Sequence, residues 1–196
     1  MRSIQEISVV LASSAPWRSS ILTQLGIPHQ CKAPTFEEPT FSQGDPVKFI
    51  ESMAYEKAKS LTENFPDSLI IAADQLVLFE DHLLGKPKTS ENALKQLTML
   101  NGNQHQIVTA VAILFQGEVR IGHEKAWLEM RTFSEHELLN YIKTDQPLDC
   151  AGSYKIESLG GSLFTKIQVQ DLNTIIGLPG NLVINFIRDF GYSTLL

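Results

Sequence analysis

Short apolar segments rich in valine and isoleucine alternate along the chain with segments in which apolar residues recur at helical spacing. Runs of the first kind predict strands, and recurrence at i, i+3 and i+4 predicts amphipathic helices. Strands that alternate with helices are typical of an α/β protein. No internal repeat, low-complexity tract or long Gly/Ser linker interrupts this alternation. We therefore expect residues 1–196 to form a single domain.

The predicted strands are joined in two ways. Glu80 with Asp81, and Gly117, are turn signals that predict hairpins, whereas the other connections pass through helices. A sheet that contains both kinds of connection is mixed, which argues against a Rossmann fold. The strands predicted in chain order are Ile7–Leu11, Leu69–Ala73 continuing through Leu76–Phe79, a short return strand ending at Gly85, Gln104–Phe115, Gly122–Met130 and Ser162–Gln168.

The predicted helices have recognisable start and stop signals. Gly26 follows the first helix as a terminator, and Asp45 before a proline has the pattern of an N-cap. Ser134 with Glu137 three residues later has the pattern of a capping box. The helices predicted in chain order are Pro16–Leu25, Pro46 to about Leu61, Ser90–Leu100, Ser134–Lys143 and Leu178–Phe190.

Composition and charge narrow the class of partner. With 43% hydrophobic and 19% charged residues, the chain has the composition of an ordinary soluble globular protein. Its formal net charge of −6 leaves no broad basic surface for a phosphate backbone, so we do not expect it to bind duplex nucleic acid. A local cluster of lysine and arginine could still hold one small anion.

The cysteines and the apolar runs bear on the compartment. Cys31 and Cys150 are the two cysteines, and without a CxxC pair they argue against a disulfide framework or a structural zinc site. We interpret both as buried thiols. No apolar run approaches the roughly 18 residues that a membrane span needs, and residues 1–10 lack a signal-peptide pattern. We therefore expect a cytoplasmic protein without a membrane partner.

The segment LASSAPWRSS at residues 11–20 is the first candidate for chemistry. Pro16 begins a helix directly after a strand, so the free N–H groups of the first turn and the positive end of the helix dipole would face an anion. Ser13 and Ser14 could add hydroxyl donors, and Arg18 a guanidinium suited to phosphate. A serine-capped helix with a solvated arginine is the alternative for this stretch taken alone.

Two further segments carry candidate groups. Asp74 follows the apolar run IIAA, where a carboxylate could bind Mg²⁺ or activate water, or could simply cap the next turn. Lys86 lies in a GKP turn that does not match a Walker A loop, and is either a phosphate contact or a solvated lysine. Glu37 and Glu38 lie in a proline-flanked loop. The histidines lack metal-binding spacing, and no G-x-S-x-G elbow is present.

Six blocks taken in order, LASSAPWR, EKA, IIAADQ, LLGKP, PLDCAGSYKIE and NTIIGLP, resemble the Maf family of nucleoside triphosphate pyrophosphatases. The resemblance spans about Val9 to Pro179. It implies an elongated, two-lobed α/β fold with a mixed sheet and a central cleft, related to the inosine triphosphate pyrophosphatases. It also implies a divalent metal, Mg²⁺ or Mn²⁺, and a homodimer.

The reaction implied by the resemblance is hydrolysis of a nucleoside triphosphate between the α and β phosphates. Carried over block by block, the phosphate-holding residues are Ser13, Arg18, Lys57 and Lys86. The metal ligands are Glu38 and Asp74, and Asp74 is also the proton acceptor. Hard oxygen ligands of this kind suit Mg²⁺, which keeps several of its own waters.

The resemblance also bears on the base. Members that prefer dTTP and UTP tend to have Arg, Thr and Gln where this chain has Trp17, Gln75 and Glu157, so this chain resembles the branch that acts on 7-methyl-GTP. Pyrophosphatase activity on dTTP or UTP, and a nucleotide-binding regulator of cell division without turnover, are the alternatives. One departure is Ala15, where the family usually has a second serine.

Overall fold

The computed structural model describes residues 1–41 and 43–196 and shows a mixed α/β fold. The strands are β1 (Arg2–Ser3), β2 (Val9–Ala12), β3 (Gln30–Lys32), β4 (Leu69–Phe79), β5 (His82–Leu84), β6 (Gln104–Phe115), β7 (Glu118–Met130), β8 (Phe164–Gln168) and β9 (Tyr192–Ser193). The helices are α1 (Pro16–Gln24), α2 (Pro46–Lys59), α3 (Ser90–Leu100), α4 (Glu135–Asp145), α5 (Asn173–Ile176) and α6 (Gly180–Asp189). The predicted class, α/β with a mixed sheet, is confirmed.

The main sheet has seven strands in the order β3-β2-β4-β6-β7-β8, with β5 paired to β4. Strand β2 pairs in parallel with β3 and with β4, whereas β4 with β5 and β7 with β8 are antiparallel pairs. β1 and β9 form a separate parallel pair. A hairpin turn joins the antiparallel strands β4 and β5, whereas the antiparallel strands β7 and β8 are separated in the chain by α4.

The element boundaries differ from the prediction where local signals are weak. β4 runs without a break through Asp74 and Gln75, in agreement with the predicted continuation of the strand through Leu76–Phe79. β7 begins at Glu118, four residues before the predicted Gly122, because Gln116 and Gly117 both have positive φ and close a two-residue hairpin turn. The short strand β3 and helix α5 are not predicted from the sequence.

The chain divides into two compact units, each built from separate stretches. Unit 1 comprises residues 1–74, 109–124 and 171–196, and unit 2 comprises residues 75–108 and 125–170. The expectation of one domain over residues 1–196, and the expected elongated shape with a central cleft, stay predictions.

Each unit has its own apolar interior. In unit 1 all four residues of β2 are buried, as expected for a strand covered on both faces. Val9 and Leu11 pack with apolar residues of β4, β6, α1 and α6. In unit 2, helix α3 packs against α4 and against the 3-10 turn Ala151–Ser153. The buried side chains of that unit include Leu97, Leu100, Ile107 and Leu128.

The interpretation of both cysteines as buried thiols is wrong. Cys31 is exposed, because β3 is a three-residue strand at the end of the sheet order and all of its residues are exposed. Cys150 is half-buried, and partial burial together with the nearby Glu157 carboxylate raises the pKa of its thiol to about 11. Across the described ranges, no helix has the length and apolar character needed to cross a membrane.

Candidate active site

The turn between β2 and α1 forms one side of the candidate site. Pro16 is the first residue of α1 and Ala15 its N-cap, and in the described part of the chain no side chain caps this helix. The buried hydroxyl oxygen of Ser13 accepts hydrogen bonds from the Ala15 amide at 3.1 Å and from Arg18 Nη1 at 3.5 Å. The alternative of a serine-capped helix is therefore wrong.

Arg18 is half-buried and held in place, so the alternative of a solvated arginine is also wrong. Its Nε donates to the carbonyl oxygen of Gly177 at 2.9 Å. Gly177 has φ 121°, a conformation that favours glycine, and this fixes the direction of the carbonyl. Burial lowers the pKa of Arg18, while the carboxylates of Asp74 and Glu38 act in the opposite direction. A guanidinium remains charged in proteins, so a cation is fixed here near two acids.

Lys57 joins two carboxylates that are distant in the sequence. Its ammonium nitrogen lies 2.8 Å from Glu38 Oε1 and 3.0 Å from Asp74 Oδ2. The side chain is only 7% exposed, because Lys57 lies on the face of α2 that turns inward. Buried residues recur on this face at helical spacing: Ile50, Met53, Ala54, Lys57 and Ala58. A buried cation is tolerated when it is paired, and this one is paired twice.

Asp74 lies inside β4 and not at the end of a strand, so the alternative of an Asp that caps a turn is wrong. β2 pairs with β4 only as far as the register Leu11 to Ile71, so β4 continues past the carboxyl end of its parallel neighbour. Ser13 and α1 follow that end directly. Asp74 therefore projects from a central strand where the adjacent strand has stopped, and its side chain is 15% exposed.

The acids fit a divalent metal by chemistry. Glu38 and Asp74 bring carboxylate oxygens to one ammonium nitrogen, and carboxylate oxygens are the ligands that Mg²⁺ prefers. Within residues 1–41 and 43–196 no group of three or more His, Cys, Asp or Glu side chains forms a denser metal cluster. A pair of acids still suits Mg²⁺, because this ion retains waters and takes phosphate oxygens of its substrate.

Lys86 lies in unit 2, in an exposed turn after β5. Helix α3 braces this turn on both sides, because Gln96 Nε2 donates to the Gly85 carbonyl at 3.0 Å and Asn92 Nδ2 donates to the Pro87 carbonyl at 3.1 Å. Gln96 also accepts a 2.5 Å hydrogen bond from the buried Ser153 hydroxyl. The sequence carried no signal for Gln96, which connects the GKP turn to the AGSY block.

The candidate base-binding residues have different surroundings. Trp17 is half-buried as the second residue of α1, and Gln75 is half-buried on β4 directly after Asp74. Glu157 is exposed in the loop between the 3-10 turns Ala151–Ser153 and Leu159–Leu163.

The structure brings some of the predicted residues into contact. Hydrogen bonds, ion pairs and charge effects connect five of them, all in unit 1: Ser13, Arg18, Glu38, Lys57 and Asp74. Gln75, Lys86 and Glu157 lie in unit 2, and Trp17 lies in unit 1 beside Arg18 in sequence. The catalytic, substrate-binding and metal-binding roles of all these residues stay predictions.

Comparisons with known proteins agree with the geometry. The model of the Maf-like protein family matches residues 8–190. Two relatives named 7-methyl-GTP pyrophosphatase, from Chromohalobacter salexigens and Syntrophotalea carbinolica, are each 35% identical over 95% of this chain, and the matches cover 98% and 96% of theirs.

A solved structure shows the fold independently. The Ham1 protein of Staphylococcus aureus matches with a TM-score of 0.50 at 16% identity, over 93% of this chain and 99% of that chain. This likeness concerns the fold alone. With the matched residues covering nearly the whole sequence, the chain belongs to the Maf-like protein family.

Proposed function

We propose that this protein is a nucleoside triphosphate pyrophosphatase that converts 7-methyl-GTP to its monophosphate and pyrophosphate. The observation that carries the proposal is the contact of Lys57 with both Glu38 and Asp74 beside the anchored cation Arg18. The two relatives named 7-methyl-GTP pyrophosphatase support the choice of substrate. Acids and cations placed together are what a reaction on a metal-bound polyphosphate requires.

In the proposed reaction, a water molecule attacks the α-phosphorus. A new oxygen–phosphorus bond forms, the bond from the α-phosphorus to the α,β-bridging oxygen breaks, and pyrophosphate leaves with the electron pair. The carboxylate of Asp74 accepts the proton of the attacking water. Glu38 and Asp74 would hold Mg²⁺ or Mn²⁺, which supplies charge neutralisation at the phosphate oxygens when bound.

The cations act on the charge that moves to the leaving group. Arg18, Lys57 and Lys86 neutralise the departing pyrophosphate, and the Ser13 hydroxyl and the first turn of α1 bind phosphate oxygens. Arg18 is the best placed of the three, because the Gly177 carbonyl and Ser13 fix its guanidinium before substrate arrives. Such fixed groups need no rearrangement during the reaction.

The base is selected by charge and by hydrogen-bond pattern. N7-methylguanine is cationic, so stacking on Trp17 adds a cation–π attraction of about 1–2 kcal/mol. Glu157 accepts the N1–H and the exocyclic amine of guanine, a pair of donors that thymine and uracil lack. A pyrimidine presents only one donor and would forgo the second hydrogen bond to the carboxylate, worth about 1.5–3 kcal/mol for a charged acceptor. Gln75 provides an additional amide contact to the base.

We also propose the cytoplasm as the compartment and a homodimer as the assembly. The reaction consumes modified nucleotides where nucleoside triphosphates are made and used, and two cysteines without a CxxC pair fit a reducing compartment. Light scattering of the purified chain at several concentrations measures the assembly, and a mass of one chain at all of them would contradict the dimer.

The test is a panel of triphosphates with Mg²⁺, with Mn²⁺ and without metal. We expect 7-methyl-GTP to give the highest kcat/KM and pyrophosphate as the product. Orthophosphate as the product would contradict the α,β cleavage. A higher kcat/KM for dTTP or UTP would favour the pyrimidine alternative, and tight binding without turnover would favour the regulatory alternative.

Asp74→Asn tests the proposed role of Asp74 as proton acceptor and metal ligand. We expect it to keep the fold and to lose turnover by a factor of about 10³, as expected when a group that supplies both proton transfer and charge is removed. Asp189→Asn, at an exposed position of α6 in the same unit, is the control and should keep full activity. Thermal unfolding of both variants separates lost chemistry from lost folding.

A further inference from the structure

The residues that precede Glu157 in its loop are bonded to the last turn of α4. The Lys155 ammonium donates to the main-chain carbonyl of Asp145 at 2.7 Å. The Lys155 amide donates to the hydroxyl oxygen of Tyr141 at 3.1 Å. A lysine at the carboxyl end of a helix also meets the negative end of the helix dipole, so this contact is favourable twice over.

The same helix end fastens the loop on the side following Glu157. The side-chain carboxylate of Asp145 accepts from the Ser158 hydroxyl at 2.5 Å and from the Gly160 amide at 3.3 Å. Bonds to an ionised acceptor are stronger than bonds between neutral groups. Both carboxylate oxygens are therefore engaged by residues that directly follow Glu157 in the chain.

The close approach within this loop requires its glycine. A Cβ atom at Gly160 would collide with the backbone carbonyl of Lys155. The Ser158 amide donates to that same carbonyl at 3.2 Å, which closes a tight turn around Ile156 and Glu157. Glu157 itself is exposed, so its direction is set by the turn on which it lies and not by burial.

Resting on the proposed function, we propose that Asp145 is a positioning residue that orients the Glu157 carboxylate and so sets the preference for a base with two adjacent donors. Asp145 contacts Lys155, Ser158 and Gly160, which lie on both sides of Glu157. An exposed carboxylate discriminates between bases only if its two oxygens are held in one plane and direction. The half-buried carboxylate of Asp145 supplies that constraint through the loop backbone.

The experiment uses the whole protein and two substrates, 7-methyl-GTP and 7-methyl-ITP, which lacks the exocyclic amine. The ratio of their kcat/KM values measures the contact between Glu157 and that amine. Because both rates come from one preparation, the ratio does not change when a variant is partly unfolded or less active overall. A purely structural role of Asp145 therefore leaves the ratio unchanged.

Asp145→Asn keeps the size of the side chain but replaces one acceptor oxygen with a donor. We expect it to lower the ratio about tenfold, as expected for the loss of hydrogen bonds to a charged acceptor. Glu157→Ala should lower the ratio at least as much, and adding Asp145→Asn to Glu157→Ala should lower it no further. Asp149→Asn is the matched control, since Asp149 lies in the same unit and bonds to Lys88 at 2.8 Å on the surface.

The outcomes separate the inference from the proposed function. If Glu157→Ala lowers the ratio and Asp145→Asn does not, Asp145 has no positioning role. An unchanged ratio in Glu157→Ala overturns both the base contact and the inference that depends on it. Ser158→Ala, at an exposed position, provides a milder variant should Asp145→Asn fail to fold, and it should lower the ratio a few-fold.

Discussion

The two units differ in the charge of their buried polar groups. In unit 1 the candidate site adds charged side chains, the buried Lys57 and the half-buried Asp74 and Arg18, to neutral buried groups such as Thr109 and Thr174. In unit 2 the buried polar side chains are neutral: His105, Tyr141, Ser153 and Tyr154. Burial lowers the pKa of His105 to about 4 and raises the pKa of both tyrosines, so all of these groups are uncharged near pH 7.

The difference indicates what each unit does for the reaction. Withdrawing a charge from water costs several kcal/mol, and pairing only partly offsets this cost. Charged groups kept in unit 1 at this cost support the proposed phosphate and metal binding. The neutral buried groups of unit 2 form hydrogen bonds within that unit. For example, the Tyr154 hydroxyl lies 2.9 Å from His105 Nε2. Where unit 2 does use charge to hold a loop, at Asp145 and Lys155, the side chains are half-buried and not fully buried.

Lys57→Met gives the strongest test of the charged side of this comparison. Methionine keeps the length of the side chain but leaves Glu38 and Asp74 without the ammonium that they share. We expect kcat to fall by a factor of about 10²–10³, since one fixed charge that stabilises the transition state is removed. Steady-state kinetics with 7-methyl-GTP measures the effect.

Lys59→Met on the same helix is the control for Lys57→Met. Lys59 is exposed and lies 3.8 Å from Glu56, a surface pair that contributes little. Its replacement should leave kcat unchanged. A Lys57→Met variant with activity within a factor of about three of the wild type would show that the buried pair serves folding and not chemistry, because catalytic charges are worth far more than that.

His105 tests the neutral side of the comparison through the pH dependence of stability. His105 has an ordinary pKa of 6.5 in the unfolded chain, whereas burial lowers its pKa to about 4 in the folded chain. The contribution of neutral His105 to the free energy of unfolding is therefore complete above pH 6.5 and is lost as the pH falls toward 4. Between pH 7 and pH 5 this group should lower the free energy of unfolding by about 2 kcal/mol. Urea unfolding at both pH values measures the change.

His105→Gln should remove that part of the pH dependence while keeping a partner for the Tyr154 hydroxyl. Across the described ranges, His105 Nδ1 has no hydrogen-bond partner, so the substitution loses no bond at that atom. His136→Gln, at an exposed position on α4, is the control and should keep the wild-type slope. Equal slopes in all three proteins would mean that folding leaves the pKa of His105 unchanged.

Ala15→Ser should have the smallest effect and concerns the departure from the family pattern. A serine at the N-cap of α1 could accept from the first-turn amides, which should raise the free energy of unfolding by about 1 kcal/mol. If the hydroxyl also meets the phosphates, KM for 7-methyl-GTP should fall a few-fold. Thermal unfolding measures the effect on stability, and steady-state kinetics measures the effect on KM. A rise in KM would contradict the proposed position of the triphosphate.

Much of the secondary structure follows from the sequence, because its signals are local. The capping box of Ser134 and Glu137 is present at the start of α4, and Gly117 lies in the hairpin turn between β6 and β7. The continuation of the second strand beyond Asp74 and Gln75 also agrees with the prediction, since β4 runs from Leu69 to Phe79. The three-residue strand β3 has no signal of its own and exists by pairing with β2.

What the sequence alone determined is the alternation of elements, the mixed sheet and the family to which the six blocks belong. Spacing of apolar residues and turn chemistry are sufficient for the elements, since each acts over a few neighbouring residues. Only the tertiary structure decided that Lys57 contacts two acids, that the Gly177 carbonyl holds Arg18, and that Asp145 fastens the loop of Glu157. Those contacts join residues far apart in the chain or across a loop, and strand register and helix packing determine which of them meet.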